Sequence, residues 1–182
     1  TRGLLAGLAA TGLRPASVLD IGGGIGTLSF ELLETGVASA TCIDMSQASV
    51  EGGQAEAQRR GIANRMSWQV ADFLAIAPAV PSADVVALDR VVCCYPAVEP
   101  LLRQAANHAR LLLALSYPRD RWYVQLVMAA ENLIRRLRGN AFRSFVHPVA
   151  DMEALLTDAG FQRVFRTGTL VWRMDIYRRR VT

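Results

Sequence analysis

Short apolar runs alternate with stretches of helical spacing through the first two thirds of this chain. Leu4, Leu5 and Leu8 form a brief helical pattern that stops around Gly12, and Pro15 leads into an apolar strand, Ser17 to Ile21. A helix starting near Ile25 carries Leu28, Leu32 and Leu33 on one side and ends near Gly36. Ala38 to Asp44 predicts a second strand, and Ser46 caps a helix that runs to Arg60 with Gly61 as its stop. Gly52 and Gly53 inside that helix each cost about 1 kcal/mol relative to alanine and have no sequence-level explanation. Met66 to Val70 predicts a third strand, and the apolar run Asp84 to Asp89 fits a parallel strand buried on both faces. A helix over Val98 to His108 and a strand over Leu111 to Tyr117 complete the series. Such alternation predicts an α/β sheet with right-handed crossovers.

The last third departs from this rhythm. Asp120 to Arg138 predicts a long helix capped by Asp120 and stopped by Gly139. Its apolar positions, Trp122 through Leu137, span an arc of roughly 160°, wide for a helix with one buried side. A second helix, Asp151 to Ala159, precedes a hairpin made of Phe161 to Arg166 and Leu170 to Tyr177. Leu170, Trp172, Met174 and Ile176 alternate with more polar neighbours, as a half-buried antiparallel strand requires.

The candidate chemistry lies where strands end. Val18 to Ser29 reads as strand, glycine turn and helix start, with glycines at Gly22, Gly24 and Gly26. A dehydrogenase-type spacing would need its third glycine at position 27, which is Thr27. Glycine suits such a turn because it reaches positive φ and lets a ligand approach the backbone, while the helix start beyond it offers free amides. Four acids close the first four strands in turn: Asp20, Asp44, Asp72 and Asp89. In an open parallel sheet ligands bind beyond the carboxyl ends of the strands, so these carboxylates share one crevice.

Asp20-x-Gly22-x-Gly24-x-Gly26 after a strand, followed by these acids, resembles the class I methyltransferases that use S-adenosylmethionine, across Val18 to Arg178. The resemblance implies a Rossmann-like, mostly parallel seven-stranded sheet with an antiparallel C-terminal hairpin and helices on both faces. It also implies a single domain over residues 1–182, with the helices that close the site absent ahead of Thr1. Asp44 and its neighbour Met45 would hold the ribose end, and Asp72 the adenine amino group with the Phe73 backbone near the ring. Gly22, Gly24 and Gly26 would surround the methionine part, and Asp20 would help with its ammonium. Asp89 and Arg90 would line the cofactor and face the substrate. Asp89 to Pro96, Ser116-Tyr117-Pro118, Trp122-Tyr123, Val146-His147-Pro148 and Thr169 to Trp172 look like magnesium-protoporphyrin O-methyltransferases and their relatives. That family usually has His-Tyr-Pro where this chain has Cys94-Tyr95-Pro96, so the porphyrin substrate does not carry over.

Tyr95 and His147 are the candidate bases or orienting groups, with Tyr117 and His108 behind them; His108, at a helix end, reads as a surface or capping residue. The wide helix suggests a wall of Trp122, Tyr123 and the Val127–Ile134 side for a hydrophobic or aromatic acceptor methylated on oxygen. Composition adds bounds. The chain has 182 residues, 52% of them hydrophobic, which suits one domain. Net charge is +4, and all 20 basic residues are arginine. Their clusters at Arg59-Arg60, Arg135 to Arg138 and Arg178 to Arg180 end helices or strands and complement helix C-termini, so no nucleic acid is expected. Cys42, Cys93 and Cys94 lack ligand spacing; they read as reduced thiols of a cytoplasmic protein, with no metal in the chemistry. No apolar run reaches membrane-span length. Other readings are a non-catalytic cofactor-binding subunit and a nicotinamide-dependent oxidoreductase. The second gives no role to Asp20 and Asp72.

Overall fold

The computed structural model describes residues 1–180. Its helices are α1 (Arg2–Ala10), α2 (Thr27–Glu34), α3 (Gln47–Arg59), α4 (Phe73–Ile76), α5 (Val98–His108), α6 (Trp122–Leu137) and α7 (Val149–Asp158). Its strands are β1 (Ser17–Ile21), β2 (Ser39–Asp44), β3 (Met66–Val70), β4 (Ala83–Asp89), β5 (Ala109–Pro118), β6 (Phe161–Gly168) and β7 (Trp172–Arg179). They form one sheet in the order β3-β2-β1-β4-β5-β7-β6, with β7 antiparallel to both neighbours. The expected mixed sheet is therefore present, and its parallel strands end along one edge.

Packing follows from the apolar runs. Val85 to Leu88 on β4 and Leu112 to Leu115 on β5 are fully buried, because helices cover both faces of the central strands. On one face Leu4 and Leu8 of α1 meet Leu28, Leu32 and Leu33 of α2. On the other, Leu101 and Leu102 of α5 pack with Met152 and Leu156 of α7. His108 belongs to this second core rather than to the surface. It lies edge-on to Phe73 with ring centroids 5.4 Å apart, and its Nε2 is 2.9 Å from the Ala77 carbonyl. Arginines do cap helix ends: Arg179 donates to the carbonyls of Ala106 and Ala109, and Arg65 to Leu33 and Val37.

Three expected details change. The helix after the glycine turn starts at Thr27, with left-handed Gly26 as its N-cap. Asp120 does not cap α6; Arg121 occupies that position, and the Asp120 carboxylate accepts from Gln125 at 2.8 Å. Leu170 sits outside β7 in the hairpin turn and is 81% exposed. Alternation also fails within β7, where Asp175, Ile176 and Tyr177 are all buried. The strand is internal to the sheet, so Ile176 enters the α1 side and Tyr177 the α5–α7 side.

α6 departs most from a core helix. Only Val124 and Met128 are buried. Counted at 100° per residue from Trp122, these lie at roughly 200° and 240°, while the apolar arc faces the opposite way. Trp122 is 76% exposed and Leu137 78%, and Leu126 and Leu133 are exposed with them. The helix is tied down on its polar side, where Asn132 and Ser144 exchange hydrogen bonds of 2.7 and 2.9 Å and Arg135 donates to the Ser144 hydroxyl.

The glycine pair in α3 is half explained. A Cβ on Gly53 would run into the Trp68 ring and lie 2.8 Å from the Ile25 carbonyl oxygen, whereas one on Gly52 meets only an Ile25 methyl at 3.7 Å. Gly53 is therefore required by close packing, and Gly52 is not. Gly52→Ala should stabilise the fold by up to about 1 kcal/mol through helix propensity. Gly53→Ala should destabilise it by about 1–3 kcal/mol, because overpacking against backbone outweighs that gain. Urea unfolding of both variants tests the pair, and equal effects would contradict the packing account.

Candidate cofactor and acceptor site

The sheet reverses its winding between β1 and β4, where adjacent connections leave in opposite directions and open a crevice at the carboxyl edge. The four strand-end acids lie along this edge, each held differently. Asp20, at the end of β1, is buried; its Oδ2 accepts from the Ser29 hydroxyl at 2.9 Å, and its buried Oδ1 has no partner among the described residues. Burial pushes its pKa up to about 7 against the opposing Ser29 bond, with the charges of Asp89 and Asp44 adding to the rise. Asp44, ending β2, accepts from the Gly24 amide through Oδ2 and from the Ser46 amide through Oδ1, both at 2.8 Å. That carboxylate ties the glycine turn to the neighbouring strand and keeps lone pairs for further donors.

The turn itself is built around an open centre. Gly22, Gly24 and Gly26 all have positive φ, and a Cβ on Gly24 would project into empty space. Exposed apolar side chains flank it, with Ile25 51% and Met45 70% accessible. A backbone open to approach, an unpaired buried carboxyl oxygen beneath it and apolar residues beside it fit a ligand with a cationic polar end and a flat apolar end.

Asp72 caps α4 by accepting from the Leu74 amide at 3.1 Å, and it also accepts from the Tyr95 hydroxyl at 2.7 Å. Phe73 points its side chain into the core, leaving only its backbone for the crevice. Asp89 accepts from the hydroxyls of Ser116 and Thr1. Burial disfavours its charge, but these hydrogen bonds outweigh it and hold the carboxyl below the usual carboxylate range. Arg90 follows in the left-handed region at φ 63°, which is costly for a non-glycine residue and turns the chain sharply over the crevice. Its amide donates to the Ser116 hydroxyl at 2.8 Å, while its side chain is exposed.

The candidate bases are less alike than the sequence implies. Tyr95 donates to Asp72, and burial together with that carboxylate raises its pKa, so the phenol is a donor and a poor base. Its carbonyl lies 3.0 Å from Nε2 of His147. A carbonyl can only accept, so Nε2 carries the proton and Nδ1 is the basic nitrogen of the neutral ring. His147 also stacks on Phe145, whose amide donates to the Cys93 carbonyl at 2.8 Å. Tyr117 is buried, gives its hydroxyl to Asp175 and is raised in pKa by burial and that charge, so it is structural. Ser29, Ser116 and Ile25 are the crevice residues that sequence reasoning missed. The sequence marks Ser116 only as part of the Ser116-Tyr117-Pro118 run, and its role at the crevice comes from register, since it pairs directly with Asp89. Among the described residues no three His, Cys, Asp or Glu side chains converge as a metal site, and no helix is long and apolar enough to cross a membrane.

Comparison with known proteins agrees with this geometry. No curated protein matches the sequence. A magnesium protoporphyrin IX methyltransferase from Synechocystis PCC 6803, crystallised with bound SAH, superposes with a TM-score of 0.78 at 25% identity, covering 98% of this chain and 81% of its own. An O-methyltransferase family protein from Burkholderia thailandensis gives 0.74 at 19% identity, over 97% of this chain and 52% of its own. A ribosomal protein L11 methylase from Lactobacillus delbrueckii subsp. bulgaricus gives 0.68 at 17% identity, over 97% and 77%. The last two share the fold alone. The model of the methyltransferase domain family matches residues 18–113, from β1 into β5 and through all four strand-end acids. The chain belongs to that family, and it is a class I methyltransferase that uses S-adenosylmethionine.

Proposed function

We propose that this single-domain chain methylates an oxygen of a small, hydrophobic or aromatic acceptor, with the cofactor lying along the β2-β1-β4 edge. The observation that carries the acceptor class is the outward apolar arc of α6, which begins four residues beyond the end of β5. An apolar stripe at the acceptor end of such a sheet gives a flat molecule a surface, and Trp122 and Tyr123 meet edge-on there at 5.9 Å.

When bound, S-adenosylmethionine supplies an electrophilic methyl group on a sulfonium. The chain's own residues bind and orient. The Gly22–Gly26 turn receives the amino-acid end, with Asp20 beneath it facing the ammonium. Asp44 accepts from the ribose hydroxyls, Met45 covers the apolar side, and Asp72 accepts from the adenine amino group, with the Phe73 backbone at the ring edge. Asp89 and Arg90 define the wall towards the acceptor. Catalysis is then largely positioning of the acceptor oxygen in line with the methyl carbon. His147 serves as the base through Nδ1 when the acceptor is a phenol or alcohol, and Tyr95 positions it through its carbonyl.

Three outcomes follow. Calorimetry should show S-adenosylmethionine and its demethylated product binding while NAD does not, with Asp44→Ala weakening the cofactor by about 1.5–3 kcal/mol. Tight NAD binding, or an unchanged affinity in that variant, would contradict the site. Asp20 also makes binding depend on pH. Its carboxyl in the empty protein holds a proton up to about pH 7, and a cofactor ammonium favours the ionised form, so binding expels that proton. Affinity should therefore rise with pH between 5.5 and 7 (about the raised pKa), and the isosteric Asp20→Asn should flatten the rise. A slope that survives in Asp20→Asn would assign the proton elsewhere. Finally, Trp122→Ala should slow methyl transfer to an identified acceptor by about two- to tenfold, on the scale of one lost aromatic contact. Its cofactor affinity should stay unchanged, and unaltered kinetics would remove the wall.

A further inference from the structure

Beyond the crevice, the carboxyl edge holds a second concavity of about 310 Å³, lined by Arg119, Asp120, Arg121, Val149, Arg166 and Arg173. We propose that it is an oxyanion subsite for the acceptor, so that the molecule methylated is an apolar or aromatic acid; this rests on the acceptor reading above.

The arginines are held in place from below. Asp175 is completely buried and accepts from Nε of Arg166 at 3.0 Å and Nε of Arg173 at 2.9 Å, while Tyr117 gives it a hydroxyl hydrogen. Tethering a guanidinium through Nε fixes its plane and leaves the terminal nitrogens for another oxygen pair, the geometry in which arginine recognises carboxylates. Nη2 of Arg173 and Nε of Arg119 are buried and have no hydrogen-bond partner among the described residues. Guanidinium groups with buried, unpaired nitrogens leave positive charge uncompensated at the cavity wall, and an oxyanion in the cavity would offset it.

The internal acids do not account for the charge. Asp175 is already shared by two arginines and a tyrosine, and Glu153 pairs with Arg163 and lies 3.6 Å from Arg166. Asp120 lines the cavity with one oxygen engaged by Gln125. With Arg163 included, five guanidiniums meet three carboxylates, and Arg119 and Arg121 form no ion pair among the described residues. Asp151, exposed on the first turn of α7, does not line the space. The start of α7 does, at Val149 and Ala150, and turns its dipole's positive end the same way.

Position links this cavity to methyl transfer. Ser116 bonds Asp89 at the crevice, and Arg119 lies three residues further along the same chain, about 10 Å in extended conformation. Arg121 immediately precedes Trp122, so cationic cavity and apolar arc adjoin.

The test is calorimetric titration of the full chain, with and without saturating S-adenosylhomocysteine, using 1-naphthoate and its uncharged counterpart 1-naphthamide. Naphthoate should bind at least tenfold more tightly than the amide, and Arg173→Gln should reduce that preference to under threefold. Arg119→Gln lies outside the Asp175 knot and should do the same if Arg173→Gln fails to fold. No preference for the acid, or a preference intact in Arg119→Gln, overturns the subsite. Because naphthoate is also titrated into the unloaded chain, failure of S-adenosylhomocysteine to bind would count against the methyltransferase reading alone.

Discussion

The site exists because two crossover connections leave the middle of the sheet in opposite directions. From β1 the chain passes through α2 to β2 on one side, and after β3 it returns across the sheet to β4 on the other. Right-handed crossovers then put the intervening helices on opposite faces, which opens a crevice at the carboxyl edge between β1 and β4. Everything chemical in the chain is arranged around that gap. The glycine turn closes its floor, Asp44 ties the turn to β2, and the strained Arg90 carries the chain over its far side.

The same gap explains an electrostatic tension. Several carboxylates at one edge repel each other, and the chain answers each differently. Asp89 is held charged by the hydroxyls of Ser116 and Thr1, whereas Asp44 accepts from two backbone amides. Asp72 accepts from a backbone amide and a phenol. Asp20 has only Ser29 and is buried, so it meets the repulsion by keeping its proton towards neutrality. A site that is acidic and partly protonated when empty suits a ligand that brings positive charge with it. Further along the edge the polarity inverts, from carboxylates at β1, β2 and β4 to arginines beyond β5 and on β6 and β7.

Much of this was legible in the sequence because it rests on local rules. Strand ends, the left-handed glycines and the antiparallel hairpin each leave a residue-level signature, and the four acids could be ordered from β1 to β4 without coordinates. The rest depends on register and packing. Ser116 gains its role by standing opposite Asp89, and Gly53 its necessity from Trp68 on another element. The direction of the α6 arc was hidden because periodicity says which residues share a face and not what that face meets. Asp175 was hidden for a related reason. An acid in an alternating strand reads as solvent-facing, whereas β7 is internal and its acid collects two arginines and a tyrosine. Tyr95 follows the carboxyl end of β4, which the chain order shows, but that its hydroxyl serves Asp72 depends on packing.

The proposed cofactor position crosses the β2-β1-β4 edge, with the sulfur directed towards β4 and β5. A crystal structure of the chain with S-adenosylhomocysteine tests it directly. The amino-acid end is expected over Gly24 and Asp20, the ribose on Asp44, and the sulfur facing Asp89 to Val91. Electron density for the ligand in the 470 Å³ cavity at the opposite, amino end of the strands, between Leu8 of α1 and Leu32 of α2, would contradict it.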